Sequence, residues 1–231
     1  MRPINDLKDD GVKRFLRDNS LSLVMFGLFA LFLFAQSVTG HAVYNDDQRE
    51  HGEATISYLE YLRTGHFVEA TFENWESEYL QMGAYVLFTV FLIQRGSSES
   101  KDPDKEESVD EDPRRAQDRP DVPWPVRVGD PVLKLYEHSL AIAMLLLFLF
   151  SFIAHAIGGA REYSQEQLAH GGQAISTLEF MRTSEFWFQS LQNSQSEFLA
   201  VFSIVVLSIF LRQRLPESKP VAAPHHETRS A

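Results

Sequence analysis

The chain has 231 residues, a formal net charge of −11 and no cysteine. The missing thiols exclude disulfides, thiolate metal sites and cysteine nucleophiles. The acidic balance argues against a nucleic-acid partner, because a phosphate backbone needs a basic surface.

Residues 1–19 read as a polar arm carrying Arg2, Lys8, Lys13, Arg14 and Arg17. The run that follows, 20–39, is SLSLVMFGLFALFLFAQSVT and holds no charged residue. About twenty such residues cross a hydrocarbon core of about 30 Å, so the run predicts a first transmembrane helix, closed at Gly40. A basic flank and an apolar middle also suit a secretory signal. The run is too long for a signal core, however, and its counterpart lies mid-chain.

Residues 40–78 read as an outer loop. Tyr58, Leu59, Leu62 and Phe67 fall near helical spacing with Glu60 and Arg63 between them. This predicts an amphipathic helix from about Asp47 to Arg63, a break at Thr64-Gly65, and a short helix from Phe67 to Glu76. Residues 79–94 (YLQMGAYVLFTVFLIQ) are uncharged and predict a second crossing. That run spans only about 24 Å at helical rise. Trp75 and Tyr79 at one interface and a snorkelling Arg95 at the other would ease the mismatch; a re-entrant segment is the alternative.

Residues 96–132 are rich in Ser, Asp, Glu, Lys and Pro. Such a composition buries too little apolar surface to offset the entropy of ordering and predicts a flexible charged linker. The order of elements then repeats over 133–214: an apolar run at 139–158, an outer loop at 159–196 with an amphipathic stretch from Glu166 to Arg182, a break at Thr183-Ser184, and a second apolar run at 197–211. Residues 215–231 read as a flexible tail.

The second half matches the first at a constant offset of 119, without gaps. Gln48, His51, Gly52, Ile56, Ser57, Leu59, Glu60, Arg63, Thr64 and Phe67 return as Gln167, His170, Gly171, Ile175, Ser176, Leu178, Glu179, Arg182, Thr183 and Phe186. The expectation is an all-α integral membrane protein of four helices, built from two tandem repeats (20–95 and 133–214). Basic residues concentrate in the N-terminal arm, the linker and the tail; the loops hold only Arg49 with Arg63 and Arg161 with Arg182. The positive-inside rule therefore places both termini and the linker in the cytoplasm and the loops outside. Two crossings per repeat make the repeats parallel, related by an axis along the membrane normal.

Several polar residues stand out as candidate interaction sites. Glu60 with Arg63, and Glu179 with Arg182, are three apart and share a helix face. They predict exposed ion pairs on helices lying on the bilayer, or a polar core where the two copies meet. His51 and His170 match between copies and are the only weak candidates for a metal. Neither His-x₃-His nor His-Glu-x₂-His spacing supports one, and a histidine at a helix start, bonded to backbone, is expected instead. His155 lies in an apolar run opposite Gln36 of the first copy, which predicts an interhelical hydrogen bond between them. Glu78 and Glu197, with Asn74/Ser77 and Asn193/Ser196, are expected to cap the short apolar helices. No phosphate loop, nucleophile elbow or repeated triad is present, so neither an enzyme activity nor a cofactor is expected.

A set of local motifs carries a resemblance. Phe15-Leu16-Arg17-Asp18-Asn19-Ser20-Leu21, Gln36-Ser37-x-Thr39-Gly40, His51-Gly52, Gly65-His66-Phe67, Asn74-Trp75-x-Ser77-Glu78-Tyr79 and Gln94-Arg95-Gly96-Ser97 resemble an uncharacterised bacterial multi-pass membrane-protein family, known as a domain of unknown function. In the second copy Ser194 stands where Trp75 does. The resemblance implies a bacterial inner-membrane location and adds nothing on mechanism. The expected role is an accessory, scaffold or envelope component whose partners are the bilayer and other membrane proteins or itself. The alternative is a small transporter or channel component working as an oligomer.

Overall fold

The computed structural model describes residues 4–105 and 110–212, and every regular element among them is helical. The tail 215–231 lies outside the described residues. The chain divides into two compact units, Met1–Phe67 and Val68–Ala231.

The first unit holds α1 (Ile4–Asp18), α2 (Ser20–Glu50), α3 (Tyr58–Tyr61) and the start of α4 (Gly65–Phe88). The expected closure at Gly40 does not occur: α2 runs on to Glu50. Gly40 is there for another reason. A Cβ at this position would run into the Tyr61 hydroxyl, so the glycine makes room for a buried ring. Polar side chains inside the apolar run bond back to the helix: Ser37 Oγ donates to the Phe34 carbonyl (2.7 Å) and Thr39 Oγ1 to that of Ala35 (2.9 Å). The helix ends at Gly52, whose φ of 75° suits glycine. Its N–H donates to the Arg49 carbonyl (3.1 Å), and the Glu53 N–H to that of Gln48 (2.7 Å), the Schellman pattern. Where one amphipathic helix is expected over Asp47–Arg63, the chain is therefore broken. It is pinned by Asn45, which accepts from Ile56 N–H (2.8 Å) and donates to the Ile56 carbonyl (3.0 Å).

The second unit holds most of α4, a 3₁₀ turn at Pro113–Ala116, α5 (Trp124–Val128), α6 (Val132–Glu137), α7 (Ser139–Ala169), α8 (Thr177–Phe180) and α9 (Ser184–Phe210). Its apolar core is Ala156 and Ala160 of α7 against Phe180 and Phe186, with Phe152, Tyr163, Ile175 and Met181 around them. Small residues on α7 permit this packing. A Cβ on Gly158 would lie 2.6 Å from the Glu69 backbone nitrogen, and one on Gly159 would strike the Phe180 ring. The helix ends as α2 does, with Gly171 at φ 78° and the Gly172 N–H donating to Gln167 O (2.7 Å). Ser164 takes the place of Asn45 and bridges both backbone groups of Ile175. The starts of α7, α8 and α9 each follow those of α2, α3 and α4 by the offset already seen in the sequence.

Among the described residues, three helices are long and apolar enough to cross a membrane: α2, α7 and α9. Their outward faces carry large apolar side chains such as Phe32, Phe150 and Phe202, and contiguous apolar surface of this size suits lipid rather than water. The chain is thus suggested to be a membrane protein. The expected short helices differ from what forms. Phe67–Glu76 and the apolar run after it are one helix, α4, which ends at Phe88 rather than residue 94. The chain then closes into turns, with Val90 and Phe91 bonded back to Leu87 and Phe88. The charged half of α4 keeps it out of the set of apolar spans. On the other side, 197–210 is the end of a continuous helix of 27 residues, about 40 Å long, rather than a separate short helix.

Among the described residues of the segment expected to be a flexible charged linker, 96–105 and 110–132 hold turns and short helices. Ser97 Oγ and Ser208 Oγ of α9 share a hydrogen bond (2.8 Å), and Ser97 and Ser98 are buried. Val126 and, just beyond, Leu133 are buried too, and Arg114 reaches Asp130 (3.1 Å). Averaging the composition over the whole segment hides the short apolar stretch around Pro125-Val126 that anchors it.

Candidate polar site between three helices

Within the second unit, α4, α7 and α9 meet around His155. The ring is fully buried, and Phe186 stacks on it at 4.9 Å between centroids and 25° between planes. Its Nδ1 lies 2.9 Å from Glu76 Oε2, also buried, and its Nε2 lies 3.0 Å from Gln189 Oε1. Gln189 Nε2 donates to Glu69 Oε1 (2.8 Å), and Asn193 Nδ2 donates to Glu73 Oε1 (2.6 Å). The result is a chain of polar contacts, Glu76–His155–Gln189–Glu69, with Glu73–Asn193 beside it.

The local reasons are simple. Glu69, Glu73 and Glu76 are spaced i, i+4, i+7 on α4 and so share one face. Gln189 and Asn193 are i, i+4 on α9 and face them. Gly158 brings the α4 backbone close enough for these side chains to reach. Because Gln189 spends its amide nitrogen on Glu69, its oxygen is turned to His155, and Nε2 must carry a proton. One further proton then sits between Nδ1 and Glu76. The hydroxyls of Ser151 and Ser190 are buried and have no hydrogen-bond partner among the described residues. Further along α4 and α7 the interface opens into an apolar groove of about 300 Å³ that includes Gly83, Ala84, Ala141 and Leu145.

Of the residues singled out in the sequence, His155 stands at the centre of this site, but its partners are Glu76 and Gln189 rather than Gln36. Glu60 and Glu179 serve as caps rather than in ion pairs. Each accepts from the backbone N–H and hydroxyl of the serine three residues earlier (Ser57, 2.8 and 2.7 Å; Ser176, 2.7 and 2.7 Å), while that serine receives the glutamate's own N–H. The cap holds both carboxyls below the usual range; for Glu60 the Ser57 hydroxyl is the main cause, for Glu179 the Ser176 backbone, and the fields of Arg63 and Arg182 come last.

A lowered folded-state value means that this contribution is present above the ordinary carboxylate range and is lost as pH falls through the lowered value. Amide exchange at residues 58–61 and 177–180, relative to the unstructured rate at the same pH, is therefore expected to quicken below about pH 4. Ser57→Ala should speed it about fivefold at neutral pH, the equivalent of about 1 kcal/mol for a lost cap. Exchange that ignores both changes would contradict the capping role.

Glu78 and Glu197, with Asn74 and Asn193, lie inside α4 and α9 rather than at their starts. Thr183 caps α9 instead, accepting from the Phe186 N–H (3.3 Å). The fields of Glu78 and Glu197 reach one another. His51 and His170 cap the ends, not the starts, of α2 and α7, with Nδ1 on the carbonyls of Asp47 (3.0 Å) and Glu166 (2.8 Å). That backbone bond, ahead of the Asp47 carboxylate, holds His51 above its ordinary value. The sequence reading missed Glu69, Glu73, Glu76 and Gln189. The i, i+4, i+7 spacing of the three glutamates was the available signal, but it was absorbed into the idea of a solvated loop.

The chain belongs to the family described as Domain of unknown function (DUF6766), which matches residues 12–230. No curated protein and no solved structure matches it.

Proposed function

We propose that this family member is a non-enzymatic protein of a bacterial inner membrane that acts as an accessory or scaffold component through its loop hairpins. In this reading α4 supplies a fourth crossing, and two tandem parallel halves keep both termini and residues 96–132 cytoplasmic. The constant offset in helix starts and the matched Schellman ends, bridges and caps support the duplicated architecture. One observation carries the scaffold role. At the tip of each hairpin a one-turn helix, fixed by a reciprocal cap, holds a leucine out into solvent: Leu59 is 71 % exposed and Leu178 68 %. A rigid, exposed apolar tip outside the apolar helices suits contact with other membrane proteins or a second copy.

Extraction in native lipid is the test. The protein is expected to come out as an oligomer or with other membrane proteins, and the L59D/L178D double variant to lose them. In the same strain a reporter fused after Ile93 should read the side of the N-terminus. A monodisperse, partner-free monomer would refute the scaffold role, and a reporter on the far side would refute the topology.

The buried His155–Glu76 pair favours a second reading, a small transporter or channel component working as an oligomer. Ionisable groups inside apolar helices are expensive and usually functional.

A further inference from the structure

We propose that the His155–Glu76 pair is a proton-binding site and that Glu69 and Glu73 form its access path from the polar end of α4. The inference goes beyond the scaffold role and gives the transport reading its ion, but it requires neither partner binding nor flux.

The hydrogen bonds set the occupancy. With Nε2–H committed to Gln189, the 2.9 Å contact between Nδ1 and Glu76 Oε2 holds one proton, on the ring or on the carboxyl. Either way the pair is neutral overall and both groups stay bonded. Removing that proton sets two acceptors against each other, and adding a second sets two donors against each other. Both groups are buried, so neither change is tolerated without opening the junction. The site therefore exchanges its proton only when α4, α7 and α9 part.

The route in is written along α4. Glu69, Glu73 and Glu76 stand one helical turn apart on one face; Glu69 and Glu73 are half-buried, Glu76 fully. The other titratable groups facing this path are acidic: Glu185 on α9, 3.4 Å from the Gln189 amide, and Glu166 on α7, whose field reaches Glu69. A path lined by carboxylates concentrates protons and repels anions.

A second, independent feature points to the same ligand. Ser151, fully buried, is four residues before His155 and so shares its face of α7. Ser190 is four residues after Phe186, the ring stacked on His155. Both hydroxyls lack partners among the described residues. These two oxygens can still take up a hydrogen bond.

Infrared hydrogen–deuterium difference spectra of the full chain in lipid nanodiscs test the proposal. Glu76→Gln is the decisive variant, because its amide can donate to Nδ1 and keep the junction closed while removing the exchangeable proton. One buried-carboxyl band that shifts on transfer to deuterium oxide is expected. It should vanish in E76Q and change its frequency in H155N. In E69Q/E73Q it should persist, with its hydrogen–deuterium exchange slowed about tenfold or more. A band that survives E76Q, or no band at all, would overturn the site. Unchanged exchange in E69Q/E73Q would overturn the path. A band that follows sodium concentration at fixed pH would replace the proton with a metal cation.

Discussion

Replacing His155 with alanine is expected to lower stability in lipid or detergent by about 3–5 kcal/mol, the range for breaking a buried charged pair from one side. Three losses coincide. Glu76, 2 % exposed, loses its ring partner, Gln189 loses the donor that fills its oxygen, and the Phe186 ring loses its stack. An imidazole-sized void adds to the effect. Glu76→Gln is expected to cost far less, about 1 kcal/mol, because a neutral amide still bonds to Nδ1. Denaturant titration by SDS, with helicity as the readout, separates the two. If H155A unfolds where the wild type does, the polar junction does not hold the three helices together.

Gly158→Val is expected to destabilise by about 1–3 kcal/mol or more, as overpacking of a filled interface does. The atom its Cβ would meet, at 2.6 Å, is a backbone nitrogen, with the Val68 side chain behind it at 2.8 and 3.0 Å. Backbone cannot rotate away, so the helices must separate. Glu69 would then move from Gln189, and the polar junction would loosen from its outer end. Gly27→Ala provides the contrast. A Cβ there meets nothing within 4 Å, so no loss is expected. Equal melting of the two glycine variants would show that close helix approach at Gly158 is not what the fold requires.

The outcomes for Glu60 and His155 show why some of the site could be read from the sequence and some could not. Glu60 lies three residues from both Ser57 and Arg63, so spacing alone permits a cap or an ion pair. The choice falls to the cap because Ser57 stands at the start of a one-turn helix, where backbone N–H groups are unpaired. His155 was visible because one imidazole in an uncharged, mostly apolar run of twenty residues is conspicuous. Its partners were not visible, because Glu76 and Gln189 lie 79 and 34 residues away, and only the packing of three helices brings them within reach.

By itself the sequence determined the apolar runs of α2, α7 and α9, the offset between the two halves, the breaks at Thr64 and Thr183, and the family. These are set by local hydrophobicity, by turn and cap chemistry, and by matching residues, all of which act over a few positions. The tertiary structure alone decided that α2 continues past Gly40, because the space beside that glycine belongs to Tyr61. It alone decided that the stretch just after Arg95 is anchored, because Ser97 meets Ser208. It also turned three glutamates, spaced as on any solvated helix, inward toward one histidine. Periodicity fixes which residues share a face; what that face meets depends on distant chain, and there the energy of burying a charge is settled.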